Sequence, residues 1–114
     1  MVTPAGSVEA GGGADDPLGR PTIRLHGVAL FNKADSYQLL ARCRTRGIAV
    51  LGIEGFRLDG VERIPEMNYI ADFSSVLAVA DRAERVVRSI RYGEAFLALV
   101  PKEGVLLEFV LAEA

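Results

Sequence analysis

Few side chains in this sequence have the type and spacing to do chemistry, and most of those are carboxylates. Glu54 stands between two glycines in the stretch Gly47-Ile-Ala-Val-Leu-Gly-Ile-Glu-Gly-Phe-Arg-Leu-Asp-Gly60, and Asp72 closes an alternating segment a short connection later. If the two segments pair as neighbouring strands, Glu54 and Asp72 come to one edge of a sheet. Two carboxylates so placed suit general acid/base work or a hard metal ion. Acids on neighbouring strands are more ordinarily a solvated face, and no catalytic or metal motif accompanies these. Asp59, Glu62 and Glu66 follow close behind. The five acids together are expected to form an acidic edge that meets a partner with a basic surface, because opposite charge steers and accelerates association. Phe56 and Tyr69 are the candidate apolar anchors of that contact, and each fits the core equally well.

The remaining reactive types point to structure. His26 is the only histidine, so one chain builds no histidine pair. Cys43 is the only cysteine, which excludes an internal disulfide and a cysteine-based zinc site. It falls on an apolar helical stripe without an obvious base beside it, as a small core residue does. The run Gly11-Gly12-Gly13 cradles phosphate only between a strand and a helix, and neither flanks it. No catalytic residue, metal or cofactor is therefore assigned.

Composition narrows the class. A chain of 114 residues makes one domain, and with 50% apolar but only 7% aromatic residues its core must be aliphatic. The net charge is −2 and no basic cluster is interleaved with aromatics, which argues against nucleic acid as a partner. No apolar run approaches the ~20 residues that span a bilayer. The N-terminus lacks the basic region and apolar core of a signal peptide. A single thiol is compatible with a reducing cytosol.

The elements that must position these groups follow from pattern. Residues 1–21 are rich in glycine and proline with little to bury, and read as a disordered tail; residues 22–114 form the domain. Thr22 to Leu30 is a strand interrupted by His26-Gly27. Asn32 and Asp35 cap a first helix carrying Tyr37, Leu40 and Cys43 on one stripe, with Arg42, Arg44 and Arg46 at its negative end and Gly47 as its stop. Gly47 to Gly60 is a strand with a buried root. The next strand starts after Pro65, which cannot donate to a ladder, and alternates through Met67, Tyr69, Ala71 and Phe73. A second helix, capped by Ser74 or Ser75 and stopped by Gly93, carries an apolar stripe from Val76 through Val86 and Val87 to Ile90. Asp81 with Arg85 and Glu84 with Arg88 are spaced for pairs across one turn. Ala95 to Val100 and Val105 to Leu111 close the chain as a hairpin around Pro101-Lys102-Glu103-Gly104.

This order predicts an α+β two-layer sandwich: a mixed or antiparallel sheet of about four to five strands with two helices on one face. The other face is left partly available to a partner.

Gly27-Val28-Ala29-Leu30, the helix after it, Gly47-Ile-Ala-Val-Leu-Gly-Ile-Glu-Gly-Phe, and the closing Leu107-Glu108-Phe109-Val110-Leu111 resemble small bacterial immunity proteins of polymorphic toxin systems. The resemblance covers Gly27 to Glu113 and rests on length and element order; the segment Ile64 to Phe73 has fewer aromatics and acids than the family pattern. It implies a non-enzymatic inhibitor that binds a cognate toxin and blocks or distorts its active site, and it transfers no functional residue by position. The alternatives from the residues themselves are a small ligand-binding or regulatory module with Gly52, Glu54 and Gly55 lining a pocket, and an enzyme using Glu54 and Asp72.

Overall fold

The computed structural model describes the backbone of residues 8–10 and residues 18–113. The architecture is α+β, with two helices on one face of an antiparallel sheet. The central strand is the Gly-rich stretch. Ile48–Asp59 (β4) pairs antiparallel with Glu62–Asp72 (β5) on one side and with Leu106–Glu113 (β6) on the other. At the β4–β5 turn Gly60 has φ +60°, the mirror-image conformation that matches the twist of a two-residue hairpin.

Two helices cover one face. Lys33–Arg46 (α1) begins where Asn32 accepts the Asp35 N–H at 2.8 Å and ends at Gly47 in the left-handed conformation, as expected. Its buried stripe is Ser36, Leu39, Leu40 and Cys43; Tyr37 lies outside it, exposed. Arg82–Leu99 (α2) differs from expectation at both ends. Residues Ser74–Ala78 form a separate 3₁₀ turn, and the cap is Asp81, which accepts the Glu84 N–H at 3.0 Å. Asp81 is therefore not paired with Arg85, whose guanidinium donates to the Val79 and Ala80 carbonyls and ties the turn to the helix; Glu84 and Arg88 do pair.

Gly93 does not stop α2. It is buried where the two helices cross, and a Cβ there would lie 3.1 Å from a Leu40 methyl. The missing side chain permits close approach, and Pro101, which cannot continue a helix, ends the element instead. The expected C-terminal hairpin is consequently absent: Ala95 to Leu99 is helix, and β6 pairs with β4 alone among the long strands.

The main core lies between helices and sheet. Leu39, Leu40 and Cys43 from α1 and Val86, Ile90 and Leu97 from α2 meet Val50, Ile53 and Leu107. Inside it the Ser89 hydroxyl accepts the Val50 N–H at 2.9 Å, at the place where β4 bulges against β6. That bulge puts Leu51 between Val50, opposite Leu111, and Gly52, opposite Val110. It flips the alternation, so Val50 and Ile53 both reach the helical core while Gly52 and Glu54 turn to the other face.

That other face is half covered. Ile23–Leu25 (β2) and Val28–Leu30 (β3) make a tight hairpin through His26 and Gly27, both at positive φ, where one interrupted strand was expected. Leu25 and Leu30 pack on Phe56, with Leu58 and Leu106 beside them, in a second small core. Phe31 joins this hairpin to β6 by exchanging two backbone hydrogen bonds with Leu107, at 2.9 and 2.7 Å. Val8–Ala10 (β1) pairs with β2. Leu18 packs against the main core and Pro21 is buried, so these residues of the stretch expected to be a tail belong to the domain; its residues 1–7 and 11–17 lie outside the described ones.

Candidate functional site

The uncovered half of the helix-free face is built from two cross-strand rows. Glu54 stands opposite Ile70 on β5 and opposite Glu108 on β6; one step along, Gly52 stands opposite Asp72 and Val110. Residues two apart on a strand share a face, so all six look the same way, in rows separated by about 7 Å. Gly52 has no side chain, which leaves a slot between Asp72 and Val110. The groove so formed has a volume of about 420 Å³, and Leu51 and Ser74 also line it. Its walls carry apolar groups open to solvent: Ile70 is 43% and Val110 57% exposed.

The charges are distinct in character. Glu54 is exposed at the mouth. Directly opposite, Glu108 is partly buried, a like-charge placement that is unfavourable across strands. Arg63 offsets it. Its guanidinium crosses the Phe56 ring at 4.6 Å from the centroid and meets the Glu108 carboxylate at 2.9 Å. Asp72 is exposed, and the Ser74 hydroxyl and amide N–H, the latter at 2.8 Å, hold its carboxyl below the usual range. Asp72 therefore keeps its charge under mildly acidic conditions. Among the described residues no three His, Cys, Asp or Glu side chains converge closely enough to hold a metal ion.

The residues expected to form one acidic edge are divided by the structure. Glu54 and Asp72 do meet on one face, as diagonal neighbours on β4 and β5. Asp59 and Glu62 face each other across the hairpin end, about 17 Å along β4 from Glu54 at 3.3 to 3.4 Å per residue. Glu66 is bound to Arg57 at 3.0 Å. Arg57 and Arg63 thus interrupt the run of acids. Phe56 is buried in the second core and is no surface anchor. Tyr69 is half-buried on the helical side, against Gly55, where an added Cβ would sit 2.8 Å from the Tyr69 Cβ. Pro65 lies within β5 rather than before it; β5 is an edge strand of its sheet, where a missing N–H costs no ladder bond.

Glu108, Ile70 and Val110 are the members of the site that sequence reasoning did not assign. Glu108 was legible as an outward residue of the last strand, but its place beside Glu54 depends on β6 pairing with β4, which the expected C-terminal hairpin hid.

Two helices thus cover one face of a three-stranded antiparallel sheet, and an open, acid-rimmed groove lies on the other. No family model, curated protein or solved structure matches the chain. No helix among the described residues is long and apolar enough to cross a membrane.

Proposed function

We propose that this protein is a non-enzymatic inhibitor of the immunity type, which binds a basic protein toxin in the bacterial cytosol through the helix-free face of its sheet. The observation that carries the proposal is the groove over Gly52, where solvent-exposed Ile70 and Val110 sit among Glu54, Asp72 and Glu108. Apolar groups left open on a rigid sheet supply the contact, and surrounding carboxylates attract a basic surface and disfavour an acidic one. The resemblance of Gly27 to Glu113, as sequence, to small immunity proteins is what suggests a toxin as the partner. A small-molecule ligand in the same groove is the second possibility, favoured by its concavity.

The test uses the product of the adjacent gene, purified and mixed with the full chain in stopped flow. Replacing Glu54 and Asp72 with lysine should slow association roughly 10-fold or more at low salt, with the difference shrinking at high salt. Replacing Asp59 and Glu62 should have a smaller effect. If the adjacent product does not bind, the immunity reading is overturned. Binding with unchanged rates for the Glu54/Asp72 variant would overturn this face as the site.

A further inference from the structure

Resting on the proposed partner-binding role of this face, we infer that the slot over Gly52 receives a single lysine or arginine side chain of the bound protein. The geometry commits to this occupant in three ways. Gly52 lies on the central strand between Asp72 and Val110, so the slot spans two strand spacings, about 9.5 Å between flanking backbones. Its lining is of two kinds: Val110 and Ile70 offer apolar surface to a methylene stem, and Asp72 and Glu54 offer carboxylates to a charged head. Long cationic side chains bury their stems and keep their heads polar, and their charge complements the carboxylates. Finally, the carboxylates are spread across three strands and do not converge as metal ligands do, which suits an extended organic cation.

Arg63 already shows the same chemistry within the molecule. Its stem reaches across the open face, its guanidinium rests on Phe56, and its charge meets Glu108. The incoming side chain lies over the next row, that of Gly52, with exposed Glu54 and Asp72 beside it.

The test titrates the isotope-labelled full chain by NMR with three blocked tripeptides: acetyl-Gly-Arg-Gly-amide, the lysine equivalent, and the norleucine equivalent. Saturable shifts are expected at the amides of Gly52, Glu54, Ile70, Asp72 and Val110 with the two cationic probes, and none with norleucine. Val110→Ser, at an exposed position, should weaken the cationic probes several-fold, and Glu54→Gln should weaken them by a similar or larger factor. Asp59→Asn with Glu62→Gln should change nothing. Equal shifts from norleucine, shifts centred on the hairpin end, or no saturable shift would each overturn the inference. The association-rate assay is independent of this one, so a partner that binds by this face without filling the slot gives slowed association with silent peptides.

Discussion

Cys43 illustrates how completely tertiary placement decides a residue's chemistry. Fully buried between α1 and the sheet, its thiol is pushed up to about 11 from a model-peptide value of 9.0, because burial disfavours the thiolate. The folded state thus binds this proton more tightly than the unfolded chain. The corresponding stability is complete below pH 9 and is lost as pH rises through 11, an effect of up to ~3 kcal/mol from a shift of two units. Denaturation midpoints measured from pH 8 to 11 should fall more steeply for the natural chain than for Cys43→Ala. Parallel curves would show that the thiol is not the group responsible. Native protein should also react with a thiol reagent only as fast as it opens. The same contrast separates Val86 from Val87. Val86 is 5% exposed and Val87 36%, so Val86→Asp buries an unpaired charge and should cost upwards of ~4 kcal/mol, whereas Val87→Asp should cost about 1 kcal/mol or less in a urea titration. Sequence placed both on one apolar stripe; a single helical step separates them.

At the scale of elements, two glycines set how closely neighbours approach. An added Cβ at Gly55 would stand 2.8 Å from the Tyr69 Cβ and 3.1 Å from its carbonyl oxygen, and backbone cannot yield as a side-chain tip can. Here β5 passes three extra residues across β4, between the pairs Glu54 with Ile70 and Phe56 with Pro65. Gly55→Ala should therefore destabilise by about 1–3 kcal/mol. At Gly93 the neighbours are the methyl groups of Leu40, which can rotate. Gly93→Ala combines a tight contact with a helix-propensity gain near 1 kcal/mol and should be close to neutral, while Gly93→Leu should cost about 1–3 kcal/mol by overpacking the helix crossing. Thermal melts of the three variants check the order. A Gly93→Leu protein as stable as the natural one would mean the helices are not in contact there. Pro65 and the displaced register of β5 also blunt the β5 edge of the sheet, a common guard against strand addition.

The whole molecule is asymmetric in charge. Arg42, Arg44, Arg46 and Arg91 lie exposed on the helical side, while Glu54 and Asp72 lie on the open sheet face. A net charge of −2 conceals this separation, which gives an approaching basic surface a preferred side. Association with such a surface should therefore depend on salt through the groove acids, and reversing charges on the helices should leave the rate nearly unchanged. Stopped-flow rates for Arg44→Glu beside those for Glu54→Lys make the comparison. A helix variant that binds as slowly as the groove variant would place the contact on the wrong layer.

What the sequence determined by itself was local and periodic. The Asn32 cap, the Gly47 stop, the β4–β5 turn at Gly60, the apolar face of the last strand and the two-layer α+β class are all visible in residue types at short spacing, because caps, turns and amphipathic faces depend on near neighbours. Only the tertiary structure decided where a glycine ends an element and where it admits a neighbour. Gly93 reads as a stop and proves to be a helix crossing, since the Leu40 that explains it lies fifty-three positions away in the chain. The site followed the same division. That Glu54 and Asp72 share a face was legible from type and spacing, but Glu108, Ile70 and Val110 join them through strand pairing and a one-residue bulge at Leu51, and a bulge turns side chains from one face to the other without any mark in composition.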